Sequence, residues 1–292
     1  MDPGIDLELL RGVCGRGIPP LPSPAIRLAL ELAADDDSTD EVLIEHLESD
    51  ARLRFGVLAG ANLTIFSGDR PVKTIPQAVA RIGRRKCLSL LWLLALSDFV
   101  RSWPNLPELA RHKLWRHSLL TGVLAQQLLL AAGLESLGDG LAAGMAHDIG
   151  HLLLAGPGAS LGVVWHEEHE QLVERAVSPA PERDHCRLGG TLLEFWDAPP
   201  ALVASALHHH DPFAADAALS PLVVAVRLAD LLAEHIDLDR PVRPLRLETA
   251  PAWQHLAALE PWRRVPCLHL LAIERLPESL LIAEHLGNLL GG

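Results

Sequence analysis

The run "CLSLLWLLAL", Cys87 to Leu96, places the first constraint on how this chain folds. It holds no charged side chain, and as a helix it would span only about half of a bilayer. It therefore predicts a helix buried inside a large protein core. The rest of the chain offers suitable neighbours. Leu and Ala are abundant, apolar residues recur at helical spacing, and no convincing set of alternating strands is present. The expected fold class is all-α.

Composition narrows the setting. The 292 residues are 49% apolar, enough for one large domain or two modest ones. The net charge of −12 argues against a surface built to hold nucleic-acid phosphates. Cys14, Cys87, Cys186 and Cys267 lie far apart with no CxxC pair, and read as reduced thiols rather than a disulfide framework. The start, "MDPGIDLELL", is acidic where a signal peptide is basic. A cytoplasmic protein with no membrane span and no nucleic-acid partner is expected.

Local punctuation divides the helices. One is expected near Ala25–Ala34, one capped by Ser38 or Thr39, and one capped by Ser49 or Asp50 that runs to about Asn62. Two more flank a break near Gly83. Asn105 and Glu108 resemble a capping box at the head of a long helix ending at Gly133. A further helix is expected from about Asp139 to Gly156, followed by a polar one around "HEEHEQLVERA". Others are expected near Asp184–Trp196, Pro200–His210 and Pro221–His235, with two or three after the linker "DLDRPVRP".

Histidine and aspartate carry the chemistry. "GMAHDIGHLLLAG" puts His147, Asp148 and His151 into an otherwise apolar segment, and burying such groups without partners is costly. His117 and His185 share stripes with apolar residues, His208 to His210 end a helix, and Asp230 lies inside "LVVAVRLADLLAEH". Taken singly, each has an ordinary explanation: a carbonyl partner for a histidine, or an ion pair with Arg227 for Asp230. Jointly, imidazoles and carboxylates suit Mn, Fe, Zn or Ni, and a carboxylate can bridge two ions. "HEEHE" is set aside, because His166 and His169 are three apart where a metalloprotease helix needs four.

"HDIG" preceded by "LWRHSLL" and followed by "HHHDP" and "LAD" resembles the HD superfamily of metal-dependent phosphohydrolases. "IPPLPSPAIRLALELAADDDSTDEVLIEHLESDARLRFGVLAGAN" and "RPVKTIPQAVARIGRRKCLSLLWLLAL" narrow the likeness to the HDOD domain, the HD-related output domain of bacterial signalling proteins. The resemblance covers roughly Ile18 to Glu234. It implies an N-terminal helical subdomain (1–104), an HD-like helical bundle on which it packs (105–238), and a C-terminal helical extension (239–292). It further implies two divalent transition-metal ions. His117, His147, Asp148 and Asp230 would serve the first, and His185, His209 and His210 the second, with Asp148 placed to bridge.

Three departures bear on function. The superfamily's "HDIGK" lysine, which contacts a substrate phosphate, is His151 here, and no GYP segment follows the paired histidines. A glutamate found one turn before the first histidine in some cyclic-dinucleotide phosphodiesterases is Lys113. Lys113 and His151 are the candidates for phosphate contact. The expectation is a regulatory module that binds a protein or nucleotide ligand, with metal in the pocket and without turnover. Its partners would be a sensor kinase, a response regulator or a cyclic-dinucleotide enzyme. The alternatives are an active phosphohydrolase or phosphodiesterase, and a metal-free pocket held by His–Asp hydrogen bonds.

Overall fold

The computed structural model describes residues 7–14, 17–21, 23–35, 37–63, 70–103, 108–134, 139–154, 163–166, 171–174, 185–236, 247 and 251–290. The helices are α1 (Leu7–Cys14), α2 (Pro24–Ala34), α3 (Asp40–Ser49), α4 (Ala51–Ala61), α5 (Ile75–Ser102), α6 (Glu108–Ala131), α7 (Gly140–Ala146) and α8 (Gly150–Leu154). They continue as α9 (His185–Phe195), α10 (Pro200–His208), α11 (Ser220–Glu234), α12 (Pro251–Ala257) and α13 (Leu268–Leu290). The fold is all-α, decorated among the described residues by one antiparallel hairpin, β1 (Val163–His166) with β2 (Gln171–Glu174). No helix of the described residues is long and apolar enough to cross a membrane.

The chain forms two compact units, Pro19–Ser102 with Glu284–Gly292, and Met1–Ile18 with Trp103–Ala283. In the first, side chains close the helix ends. Asp50 accepts from the backbone N–H groups of Arg52 and Leu53 at 2.8 and 2.9 Å, and so starts α4. Thr39 stands at the cap position of α3 but makes no side-chain capping bond. The helices flanking Gly83 meet at a non-helical residue with φ +75°, within α5. Just past it, the Arg84 guanidinium donates to the carbonyls of Leu32 (2.6 Å), Asp35 (3.2 Å) and Ser38 (2.7 Å) and pairs with Asp40. That one side chain closes α2 and anchors the start of α3. Cys87 and Leu90 to Leu96 are buried, as the apolar run requires.

In the second unit α6 is the central element, with α7 and α11 packed on it. Leu124, Leu128, Val226, Leu228 and Ala229 are fully buried there. The segment after residue 239 adds Leu247, Trp253, Trp262 and Leu268 to the same core. The Trp262 indole donates to the Pro221 carbonyl at 2.9 Å, so its one polar atom is satisfied. The contact between α6 and α7 depends on two glycines. A Cβ on Gly144 would stand 2.5 Å from the Cα of Gly122, so only bare backbone allows this approach. It is what carries residue 147 toward residue 117.

Two local expectations are corrected. The helix expected from Asp139 to Gly156 breaks at residues 147–149, where i to i+3 bonds replace the α-helical ladder (Ile149 N to Ala146 O, His151 N to Asp148 O). Asp139 does cap its first part, accepting from Ala142 N at 2.9 Å. The polar helix expected around "HEEHEQLVERA" is instead the hairpin, with Val163 opposite Glu174 and Val164 opposite Val173. β-branched residues favour that extended backbone. Helix α1 was not anticipated at all. Asn105 of the suggested capping box and the linker at 237–244 lie outside the described residues.

Candidate metal centre

Two helix ends build the site. The last carbonyls of any α-helix lack an intrahelical partner. At the end of α7, the Gly144 carbonyl takes the Nδ1–H of His147 at 2.6 Å. At the end of α10, the Ser205 and Ala206 carbonyls face His209 Nδ1 at 3.0 and 3.2 Å. A carbonyl only accepts, so each histidine donates from Nδ1 and turns its Nε2 inward. Both rings are fully buried, and His147 Nε2 has no well-formed hydrogen bond.

The inward-turned nitrogens face carboxylates. Asp148 Oδ2 lies 3.2 Å from His147 Nε2 and 3.6 Å from His117 Nε2, while Asp230 Oδ1 lies 3.2 Å from His117 and 3.6 Å from His147. The other oxygen of Asp148, Oδ1, faces a second group: His209 Nε2 at 3.5 Å, His185 Nε2 at 3.6 Å and His151 Nε2 at 3.8 Å. Arg227, three residues before Asp230 on α11, pairs with Asp230 Oδ2 and with Glu234. It steadies Asp230 so that Oδ1 turns to the histidines. The ion pair with Arg227 and a place in the cluster therefore coexist.

The second group is crowded with rings. His185 and His209 bring their Nε2 atoms within 3.2 Å, close enough to share a proton or an ion. His151 stacks on His185 with centroids 4.1 Å apart, and the exposed His210 packs on His209 at 4.2 Å. The break at residues 147–149 allows His147 and His151 to serve different oxygens of Asp148. His208 is partly buried, and burial lowers its pKa. Lys113 sits one turn before His117 on α6 and is partly buried.

The electrostatics follow from this geometry. Burial opposes charge on His147, yet Asp148 and Asp230 beside it hold its pKa well above the ordinary imidazole value. Burial also opposes charge on Asp148, but His147 and His151 keep its carboxyl well below the carboxylate range. Burial opposes charge on Asp230 too, but His117 and His147 beside it hold its carboxyl well below the carboxylate range. Burial, with the positive charge on His147, pushes His209 well below the usual value. His210 is lowered by burial and then by Arg227 and His185.

The structure thus brings together His117, His147, Asp148, His151, His185, His209, His210 and Asp230. It adds one residue that sequence reasoning passed over. Cys186 Sγ lies 3.3 Å from His185 Nε2 and 4.0 Å from His209 Nε2. Its adjacency to His185 in "DHCRLGG" was the available signal. Buried Nδ1–carbonyl anchors that turn Nε2 atoms toward shared carboxylates are what metal-ligating histidines require. The donor set suits metal binding.

Comparison with known proteins agrees. The sequence profile of the HDOD domain matches residues 18–212. The fold is similar to that of an HDOD domain protein of unknown function from Geobacter sulfurreducens, at 24% identity over 97% of each chain and a TM-score of 0.67. It is also similar to a phosphohydrolase candidate from Shewanella amazonensis SB2B, at 19% identity over 97% of this chain and 100% of that one, with a TM-score of 0.65. A metal-dependent phosphohydrolase candidate from the same organism follows, at 16% identity over 94% and 97% and a TM-score of 0.61. No curated protein matches the chain. With its profile match, its helical fold and its clustered histidines and aspartates, the chain belongs to the HDOD domain family.

Proposed function

We propose that this HDOD domain is a regulatory signalling module whose HD pocket holds two divalent transition-metal ions and binds a ligand without hydrolysing it. His117, His147, Asp230 Oδ1 and Asp148 Oδ2 would hold one ion. His185, His209 and Asp148 Oδ1 would hold the other, with His210 and His151 at its margin. For a tetrahedral ion with bonds near 2.05 Å, neighbouring donors lie about 3.3 Å apart. The four separations around the first position run from 3.2 to 3.6 Å. When bound, such ions supply Lewis acidity toward a phosphate oxygen and cross-link α6, α9 and α11 with the segments after α7 and α10.

The observation that carries the non-catalytic half of this reading is His151. It stands where a lysine would reach a substrate phosphate, and its ring is stacked on His185 with Nε2 turned to Asp148. The position serves the donor cluster instead. The ligand would be a nucleotide or the surface of a signalling protein such as a sensor kinase, a response regulator or a cyclic-dinucleotide enzyme.

The test is to load the full chain with Mn, Fe or Zn and incubate it with nucleotides and cyclic dinucleotides. Binding is followed by calorimetry and product by chromatography. The expected result is no metal-dependent product. Release of phosphate or nucleotide that depends on metal and vanishes in Asp148→Ala would overturn the regulatory reading in favour of a phosphohydrolase.

A further inference from the structure

Cys186 is the second residue of α9, next to His185, and is partly buried. Its thiol belongs to a four-residue cluster with His185, His209 and His210 in which one donor atom from each lies within 4.8 Å of the rest. The separations are informative. Around a tetrahedral ion with metal–nitrogen bonds near 2.05 Å and a metal–sulfur bond near 2.3 Å, nitrogens lie about 3.3 Å apart and sulfur about 3.6 Å from each nitrogen. The observed values are 3.2 Å between the His185 and His209 Nε2 atoms, and 3.3 and 4.0 Å from Sγ to those atoms. Asp148 Oδ1 lies 3.6 and 3.5 Å from the same nitrogens. The two imidazoles thus lie at the spacing that one four-coordinate ion imposes, with the thiol and the carboxylate oxygen each within 4.0 Å of both.

We infer that Cys186 is a thiolate ligand of the second ion, beside His185, His209 and Asp148. The inference rests on the metal-binding reading above and goes beyond it by fixing the character of one position. The first position offers only imidazole and carboxylate. The second gains a soft donor, and soft donors favour zinc, ferrous iron and cobalt over manganese and magnesium. The two positions of one pocket then differ in preference: the first accepts manganese, and the second selects a thiophilic ion. Coordination removes the thiol proton, so binding at the second position releases it to solvent.

Cobalt(II) added anaerobically to chelator-treated full-length protein reads this directly. A bound thiolate gives a near-ultraviolet sulfur-to-cobalt charge-transfer band, while any cobalt in the pocket gives weaker visible bands. The wild type is expected to show both. Cys186→Ser is expected to lose the charge-transfer band, keep visible bands from the first position, and bind the second equivalent of zinc on the order of 10–100-fold more weakly. X-ray absorption on zinc-loaded wild type gives a readout independent of the variant's folding, with a sulfur shell at about 2.3 Å beside nitrogen and oxygen. Visible bands with no charge-transfer band, or a band that persists in Cys186→Ser, would overturn the assignment of Cys186 and leave the metal pocket standing. Failure of the wild type to bind cobalt or zinc at all would overturn the pocket and the assignment together.

Discussion

Gly150 and His185 touch through bare backbone: a Cβ on Gly150 would stand 1.9 Å from the carbonyl oxygen of His185. The contact joins α8 to α9 and sets the 3.6 Å separation between Asp148 Oδ1 and His185 Nε2. Gly150→Ala must drive these elements apart, at a cost of about 1–3 kcal/mol. Thermal denaturation followed by circular dichroism should show a lowered melting temperature and a smaller added stabilisation by zinc. An unchanged melting curve would contradict the close approach.

Asp148 divides its two oxygens between two groups of histidines, so its loss should be felt at both. Asp148→Ala is expected to abolish both metal equivalents. His117→Ala should remove one and leave the group around His185 and His209, and His185→Ala should do the reverse. Calorimetric stoichiometry separates these outcomes. Retention of both equivalents in Asp148→Ala would contradict the bridging role.

The pocket also predicts a pH dependence. In the metal-free protein the pKa of His147 is raised above its ordinary 6.5, so its stabilising contribution is full below that value and is lost as pH rises through the raised pKa. His209 is depressed, so its preference for the neutral form favours folding above 6.5 and is lost as pH falls. Asp148 and Asp230 are depressed below 3.8, and their contribution disappears in acid. A metal ion needs both imidazoles bare and must displace the proton of His147. Zinc affinity should therefore rise as pH increases above 6.5, with proton release visible as a buffer-dependent binding enthalpy. An affinity independent of pH would contradict a protonated His147.

Arg84 serves the fold rather than the site. Its guanidinium reaches three carbonyls and Asp40, a geometry that a single ammonium cannot reproduce. Arg84→Lys should lower stability by about 1–2 kcal/mol in urea titration, with metal binding unaffected. An unchanged midpoint would argue against the clamp.

How much of this was legible in the sequence depended on how local the signal was. The cap at Asp50, the helix start at Asp139 and the break at Gly83 were readable because the residues that cause them adjoin the elements they shape. His147, Asp148 and Asp230 were conspicuous as polar groups inside apolar helices. Which oxygen of Asp148 meets which histidine was not readable, because it follows from the Gly122–Gly144 crossing and from the unexpected break at residues 147–149. Cys186 stood beside a candidate ligand, yet only the approach of α9 to His209 reveals its setting. The hairpin was misread as a helix because the charges of "HEEHE" hid the extended preference of Val163, Val164 and Val173.

The most direct measurement is elemental analysis of the full chain purified without chelator, beside a variant carrying His147→Ala and Asp148→Ala. The account predicts bound transition metal in the wild type, before or after reconstitution with Mn, Fe or Zn, and its loss in the variant. A correctly folded wild type that takes up no stoichiometric metal under any of these conditions would contradict it.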